Sequence, residues 1–289
     1  MKVKNGKSIK SILKGVILMT TIFSMADASQ KTILVTSFGT SYPETRIKTI
    51  EACEKKIAEA FPEYRIKRAF TSVMVRKIIK KNEGIDIPGT GEALDALHKE
   101  GVKEVIIQPL HIITGEEYEE KIVQIANGKR HLFTELKIGR PILGNMDDFT
   151  LAVKAIQHQI PVLKKNQSVI FMGHGSHHAA NAGYAMLNLL LEKNNIQNVY
   201  VGTVENIPDI GDVRAFLKKR NVTEVILMPF MLVAGDHAQN DMAGDEEGSW
   251  KNILSGNKYN VRTELRGLGE NPLIQEMYVQ HVRESISAE

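Results

Sequence analysis

Three histidines, His174, His177 and His178, fall within five residues of the stretch SVIFMGHGSHHAANAGY, where an apolar run meets two glycines. Imidazole is the commonest protein metal ligand and the usual acid–base group near neutral pH. The cluster could therefore hold a divalent cation, move a proton, or decorate a helix start. Related side chains recur downstream, with Glu205 at 31 residues from His174 and His237 at 32 residues from Glu205. Each interval is the length of one strand–helix unit, so neighbouring parallel strands would bring all three to one sheet edge. Two imidazoles and a carboxylate suit Co, Ni, Fe or Zn and leave coordination positions for a substrate. Spacing alone leaves a shared cation and three unrelated loop residues as equal readings.

Such convergence needs a repeated strand–helix framework, and the chain has one. KTILVTSFGT, YRIKRAF and KEVIIQPLHI read as strands between the helical patterns PETRIKTIEACEKKIAEAF, SVMVRKIIKKN, TGEALDALHKEG and GEEYEEKIVQIANG. From residue 168 the plan repeats, with SVIFMGHGS, NVYVGTVEN and TEVILMPFMLVAGDH as strands. TEVILMPFMLVAGDH matches KEVIIQPLHIITGEE almost position for position. The pattern predicts an α/β protein of two similar domains, each a parallel sheet covered by helices. The division is placed at 29–148 and 149–289, with the last helical segment, NPLIQEMYVQHVRESI, packing back across the domains.

Superposing the halves sets Phe38 against His174, Ser72 against Glu205, and Glu117 against His237. All six fall at or just past the C-terminal ends of strands, the edge where open α/β sheets bind ligands. The halves thus share a backbone plan and differ in side chains where function would sit. Glu117 also suits a helix start, where carboxylates complement the helix dipole. His177 and His178 read as exposed or cap residues, His111 as a core histidine, and Asp241 with Asp245–Glu247 as a solvated acidic loop.

Composition narrows the classes. The formal charge is +3, but residues 1–28 hold five lysines against one aspartate, so the remainder is near neutral. Nucleic-acid binding has no support from that balance. The same 28 residues have the layout of a secretory signal: lysines, the apolar GVILMTTIFSMA, then ADA. Cleavage is expected after Ala28, with export to the periplasm and no stable membrane span afterwards. The single cysteine, Cys53, excludes an intramolecular disulfide. Neither GxxxxGK[ST] nor GxGxxG is present, and GHGSH places Ser176 after the second glycine, unlike a nucleophile elbow. SFGTSYPET is similar to the hydroxyl-rich phosphate loop of flavodoxins, which keeps an electron carrier as a further reading.

The segments VTSFGTSYPET, RAFTS, QPLHIITGEEYE, FMGHGSHHAA, LMPFMLVAGDHAQNDMAGD and GLGENP together closely resemble the anaerobic (class II) cobalt chelatases. The resemblance runs from Lys31 to the C-terminus, with AGDHAQNDMAGD its most specific part, and the leader resembles that of a periplasmic subgroup. It implies two flavodoxin-like domains around a cleft and insertion of Co2+ into sirohydrochlorin, a polycarboxylate tetrapyrrole, on the route to cobalamin. It implies His174, Glu205 and His237 as metal ligands, His174 also as proton acceptor, and Glu117 as an acidic catalytic residue. No cofactor is implied beyond the divalent metal substrate, with Fe2+ or Ni2+ as in vitro alternatives; self-association is left open. Arg46, Arg76 and Lys77 stand by location as partners for substrate carboxylates. The rival reading is an exported metal or tetrapyrrole carrier that binds without turnover.

Overall fold

The computed structural model describes residues 31–288. The expected leader and its cleavage after Ala28 lie outside the described residues. Among these, no helix is long and apolar enough to cross a membrane.

Two four-stranded sheets form, both entirely parallel. The first contains β1 (Lys31–Ser37), β2 (Arg65–Phe70), β3 (Glu104–Pro109) and β4 (Glu135–Ile138), in the order β2-β1-β3-β4. The second contains β5 (Gln167–Gly175), β6 (Val199–Glu205), β7 (Glu224–Pro229) and β8 (Asn260–Thr263), in the equivalent order β6-β5-β7-β8. The central strands are buried on both faces, which is why β1, β3, β5 and β7 carry the apolar runs ILV, VII, VIFM and VILM without alternation. In each sheet the chain reverses direction of build between the first and third strands, opening a crevice at their C-terminal ends. The duplication is thus a repeated topology as well as a repeated text.

The halves are joined by a continuous core that includes Ile33, Val35 and Phe70 from one and Phe171, Tyr184 and Phe230 from the other. Residue 148, where the division was placed, falls in the first turn of the helix Met146–Gln159, which packs on the helix Ala182–Lys193. The last helix, Pro272–Ser287, crosses to the first half and packs on Ala52–Ala60 and β3. Its Tyr278 hydroxyl donates to the Leu110 carbonyl at 2.9 Å. Cys53 is fully buried in this seam, and burial pushes its thiol well above the usual range, which makes it a packing residue.

A buried polar knot fastens the same seam. His281 donates to the Asp148 carboxylate at 2.9 Å and to the Arg140 carbonyl at 3.0 Å, while Arg140 Nε reaches Asp148 at 2.6 Å. Burial alone would raise the Asp148 pKa, but the hydrogen bonds from His281 and Arg140 outweigh it and hold the carboxyl at about 2. The folded chain therefore binds this proton less readily than the unfolded one. The resulting stability, about 2 kcal/mol, is complete at neutral pH and lost as pH falls through the window from 3.8 to about 2. Urea unfolding across that window is expected to show a steeper loss for the wild type than for Asp148→Asn, which starts lower at neutral pH. Parallel profiles would contradict this role.

Candidate metal site and cleft

His174 is the penultimate residue of β5 and Glu205 the last of β6, and the strand register pairs Gly175 with Glu205. Gly175 has φ +87°, and a Cβ there would lie 1.8 Å from the Glu205 carbonyl oxygen. Glycine is therefore what lets the two strand ends meet and sets Glu205 beside His174. The Glu205 carboxylate stands 4.0 Å from His174 Nδ1. Asn206 secures the junction by donating to the Ser176 carbonyl at 3.2 Å, and Asn181 by accepting from the Ser176 amide at 3.0 Å.

His237 arrives from the other side of the switch point, at the end of the loop that follows β7. Its ring is nearly perpendicular to that of His174, with centroids 4.7 Å apart. His174 Nδ1 lies 2.8 Å from the Gly175 carbonyl, and His237 Nδ1 lies 2.6 Å from the Asp241 carboxylate. Both partners can only accept, so each Nδ1 carries a proton, and in the neutral ring the lone pair then lies on Nε2. Two unpledged imidazole lone pairs beside a carboxylate can receive a divalent cation. Among the described residues, no three His, Cys, Asp or Glu donors already surround one point as bound metal would gather them. Glu205 approaches His174 from its Nδ1 side, so the arrangement is two imidazoles packed edge to face with the carboxylate alongside the first.

These residues open onto a cleft of about 730 Å³ between the two halves. The first half contributes Phe38, Ser72 and Glu117, the duplicates of the three candidate ligands, together with Met74, Ile78 and Leu110. Glu117 sits in the first turn of the short helix Glu116–Tyr118, across the cleft from the second-half residues. The loops of the two halves meet at equivalent places. The Cβ position of Gly115 is 3.7 Å from Ser176 Oγ, and that of Gly235 is 3.6 Å from Thr40 Oγ1. Burial, and then the neighbouring Asp236 carboxylate, raise the pKa of the Tyr42 phenol at the same junction.

The histidine cluster itself separates. His177 lines the cleft, whereas His178 caps the turn Ala179–Asn181 by accepting from the Ala180 amide at 3.1 Å. His111 differs from its expected role as a satisfied core residue. It lines the cleft with both ring nitrogens sealed from solvent and without a partner among the described residues. Burial pushes its pKa down to about 4, so the ring is neutral at physiological pH.

The expected basic rim is also revised. Arg46 is buried against Glu83, and Arg76 is tied to Glu92 and the Ile87 carbonyl, leaving only Lys77 exposed. Among the described residues no lysine or arginine lines the cleft, whose walls instead carry Glu116, Glu117, Glu120, Glu205 and Asp236. Such walls draw in cations. Asp245, Glu246 and Glu247 are exposed, as a solvated acidic loop would be, whereas Asp241 is half-buried and holds His237. The signal for Asp241 was its four-residue spacing from His237, one helical turn.

Residues 31–287 match the family described as Cobalt chelatase (CbiK). A sirohydrochlorin cobaltochelatase of Salmonella typhimurium is 42% identical over 258 residues, covering 89% of this chain and 97% of that protein. Sirohydrochlorin cobaltochelatase CbiKC of Nitratidesulfovibrio vulgaris is 29% identical over 266 residues, covering 90% and 92%. Among solved structures, SirB from Bacillus subtilis with Fe3+ superposes with a TM-score of 0.62 at 19% identity, covering 89% of this chain and 96% of that one. The last of these establishes the shared fold.

Proposed function

The chain belongs to the CbiK cobalt chelatase family, and from that premise we propose that it inserts Co2+ into sirohydrochlorin with release of two protons. The observation that carries this reading is the pair His174 and His237, rings 4.7 Å apart with both Nδ1 atoms engaged, at the mouth of an interdomain cleft. Co2+ is a substrate here, so the site must hold it and then release it. Two imidazoles and a carboxylate suit that better than thiolates, which bind soft and borderline ions more tightly.

The acidic walls concentrate the cation, and His174, His237 and Glu205 receive it. The macrocycle then lies against the apolar first-half wall of Phe38, Met74 and Ile78, all substantially exposed before binding. Exposed apolar side chains at one face of a cleft are what a flat aromatic ligand would cover. With acidic walls, the substrate carboxylates point towards solvent and the rim. As pyrrole nitrogens replace protein ligands on the metal, their two N–H bonds break. His174, freed from the metal, accepts one proton, and Glu117, which lines the cleft, accepts the other. The balance is complete, since Co2+ enters, two protons leave, and no electron or nucleotide is required. The lysine-rich, apolar leader supports export of this activity to the periplasm.

The test is turnover by the chain from residue 29 onward, with sirohydrochlorin and Co2+, Fe2+ or Ni2+ compared side by side. Many equivalents of metallated product per chain are expected with Co2+. Formation that stops at one equivalent would identify a carrier instead.

A further inference from the structure

The segment GDHAQNDMAG forms a wide helical turn, Ala238–Met242, whose spacing stacks two side-chain pairs. Asn240 donates to Asp236 at 3.0 Å, and His237 Nδ1 donates to Asp241 at 2.6 Å. The turn is anchored from below by Ala238 and Met242, both fully buried. It is closed by Gly244, where a Cβ would lie 2.4 Å from the Asn240 carbonyl. Asp241 is thus delivered to the His237 ring by a fixed piece of backbone. Turns of this widened type are found disproportionately at functional sites.

We propose that Asp241 is a positioning residue, whose carboxylate holds His237 in the Nδ1–H tautomer and aims its Nε2 at the incoming metal. The inference rests on the reading of His237 as a Co2+ ligand. Its strength comes from the parallel with His174, which meets its own acceptor, the Gly175 carbonyl, through the same ring nitrogen. Two chemically different acceptors impose one tautomer on both rings of the pair. A carboxylate behind a ligating imidazole also raises the basicity of the nitrogen that faces the metal. The His237 and Asp241 side chains are 40% and 46% exposed, so neither carries the fold.

The experiment is a Co2+ titration of the full chain without tetrapyrrole, followed by cobalt's visible absorption, for wild type, Asp241→Ala, Asp241→Asn and His237→Ala. Asp241→Ala is expected to weaken the Kd for Co2+ by about 10–100-fold. Asp241→Asn is expected to weaken it at least as much, despite its nearly identical shape. The amide can donate to Nδ1 and leave the proton on Nε2, the nitrogen the metal needs. NMR of the His237 ring nitrogens in the metal-free protein would report that exchange of tautomers directly. A role in shape alone predicts the reverse order, with asparagine close to wild type, and would overturn the proposal. Wild-type Co2+ binding by both Asp241 variants, with binding lost in His237→Ala, would overturn this inference alone. Wild-type binding by His237→Ala would remove the ligand assignment on which it stands.

Discussion

His174→Ala is expected to abolish cobalt insertion while leaving the unfolding midpoint where it was. The two halves of this expectation have separate physical grounds. The His174 side chain is 46% exposed and belongs to none of the apolar core, so truncating it opens no cavity. Its one hydrogen bond among the described residues, to the carbonyl of the very next residue, ties no distant elements together. Stability should therefore change by no more than about 0.5 kcal/mol. Function loses more, because the same nitrogen-bearing ring is proposed first as a metal ligand and then as a proton acceptor. General-base removal alone typically costs on the order of 10²–10⁴ in rate, and loss of a metal donor adds to it. Insertion can be followed by the change in sirohydrochlorin absorbance, with urea unfolding on the same preparation. Near-normal turnover by a folded variant would end the assignment of His174 to either role.

How far the sequence reached depended on whether a feature was local. The buried central strands were legible because both faces are covered and each carries three or four consecutive apolar residues. The edge strands β4 and β8 were not, since ELKI and NVRT are four residues long and at least half polar, which is how sheets blunt their edges. His174, Glu205 and His237 could be placed at the strand ends of the second sheet, and Glu117 at those of the first, because the duplication supplied a second copy for comparison. The partners of Arg46 and Arg76 were out of reach, because Glu83 and Glu92 come to them only through the fold. That the His111 nitrogens have no partner among the described residues was equally hidden, since an apolar strand neighbourhood does not say which atoms find acceptors.

The second large effect is expected one residue along, at Gly175→Ala, and it should differ in kind from the first. This position has φ +87°, where an L-residue is strained by roughly 1–2 kcal/mol even in open space. The space is not open. An added Cβ would lie 1.8 Å from the Glu205 carbonyl oxygen, 2.7 Å from its carbon and 3.0 Å from Thr203 Cβ. Backbone cannot step aside as a flexible side chain would, so the ends of β5 and β6 must part. Strain and clash together are expected to cost about 3 kcal/mol or more, read as a lowered urea midpoint. The separation also carries Glu205 away from His174, so the fraction that remains folded should bind Co2+ weakly. Gly248→Ala is the matched control, because nothing lies within 4 Å of its Cβ position and its φ is not positive. His174→Ala would thus lose insertion with the fold intact, whereas Gly175→Ala would lose both, since one residue supplies the chemistry and the other the close approach of two strands. A Gly175→Ala protein as stable as wild type, with Co2+ binding unchanged, would show that the strand ends need not meet for the site to form.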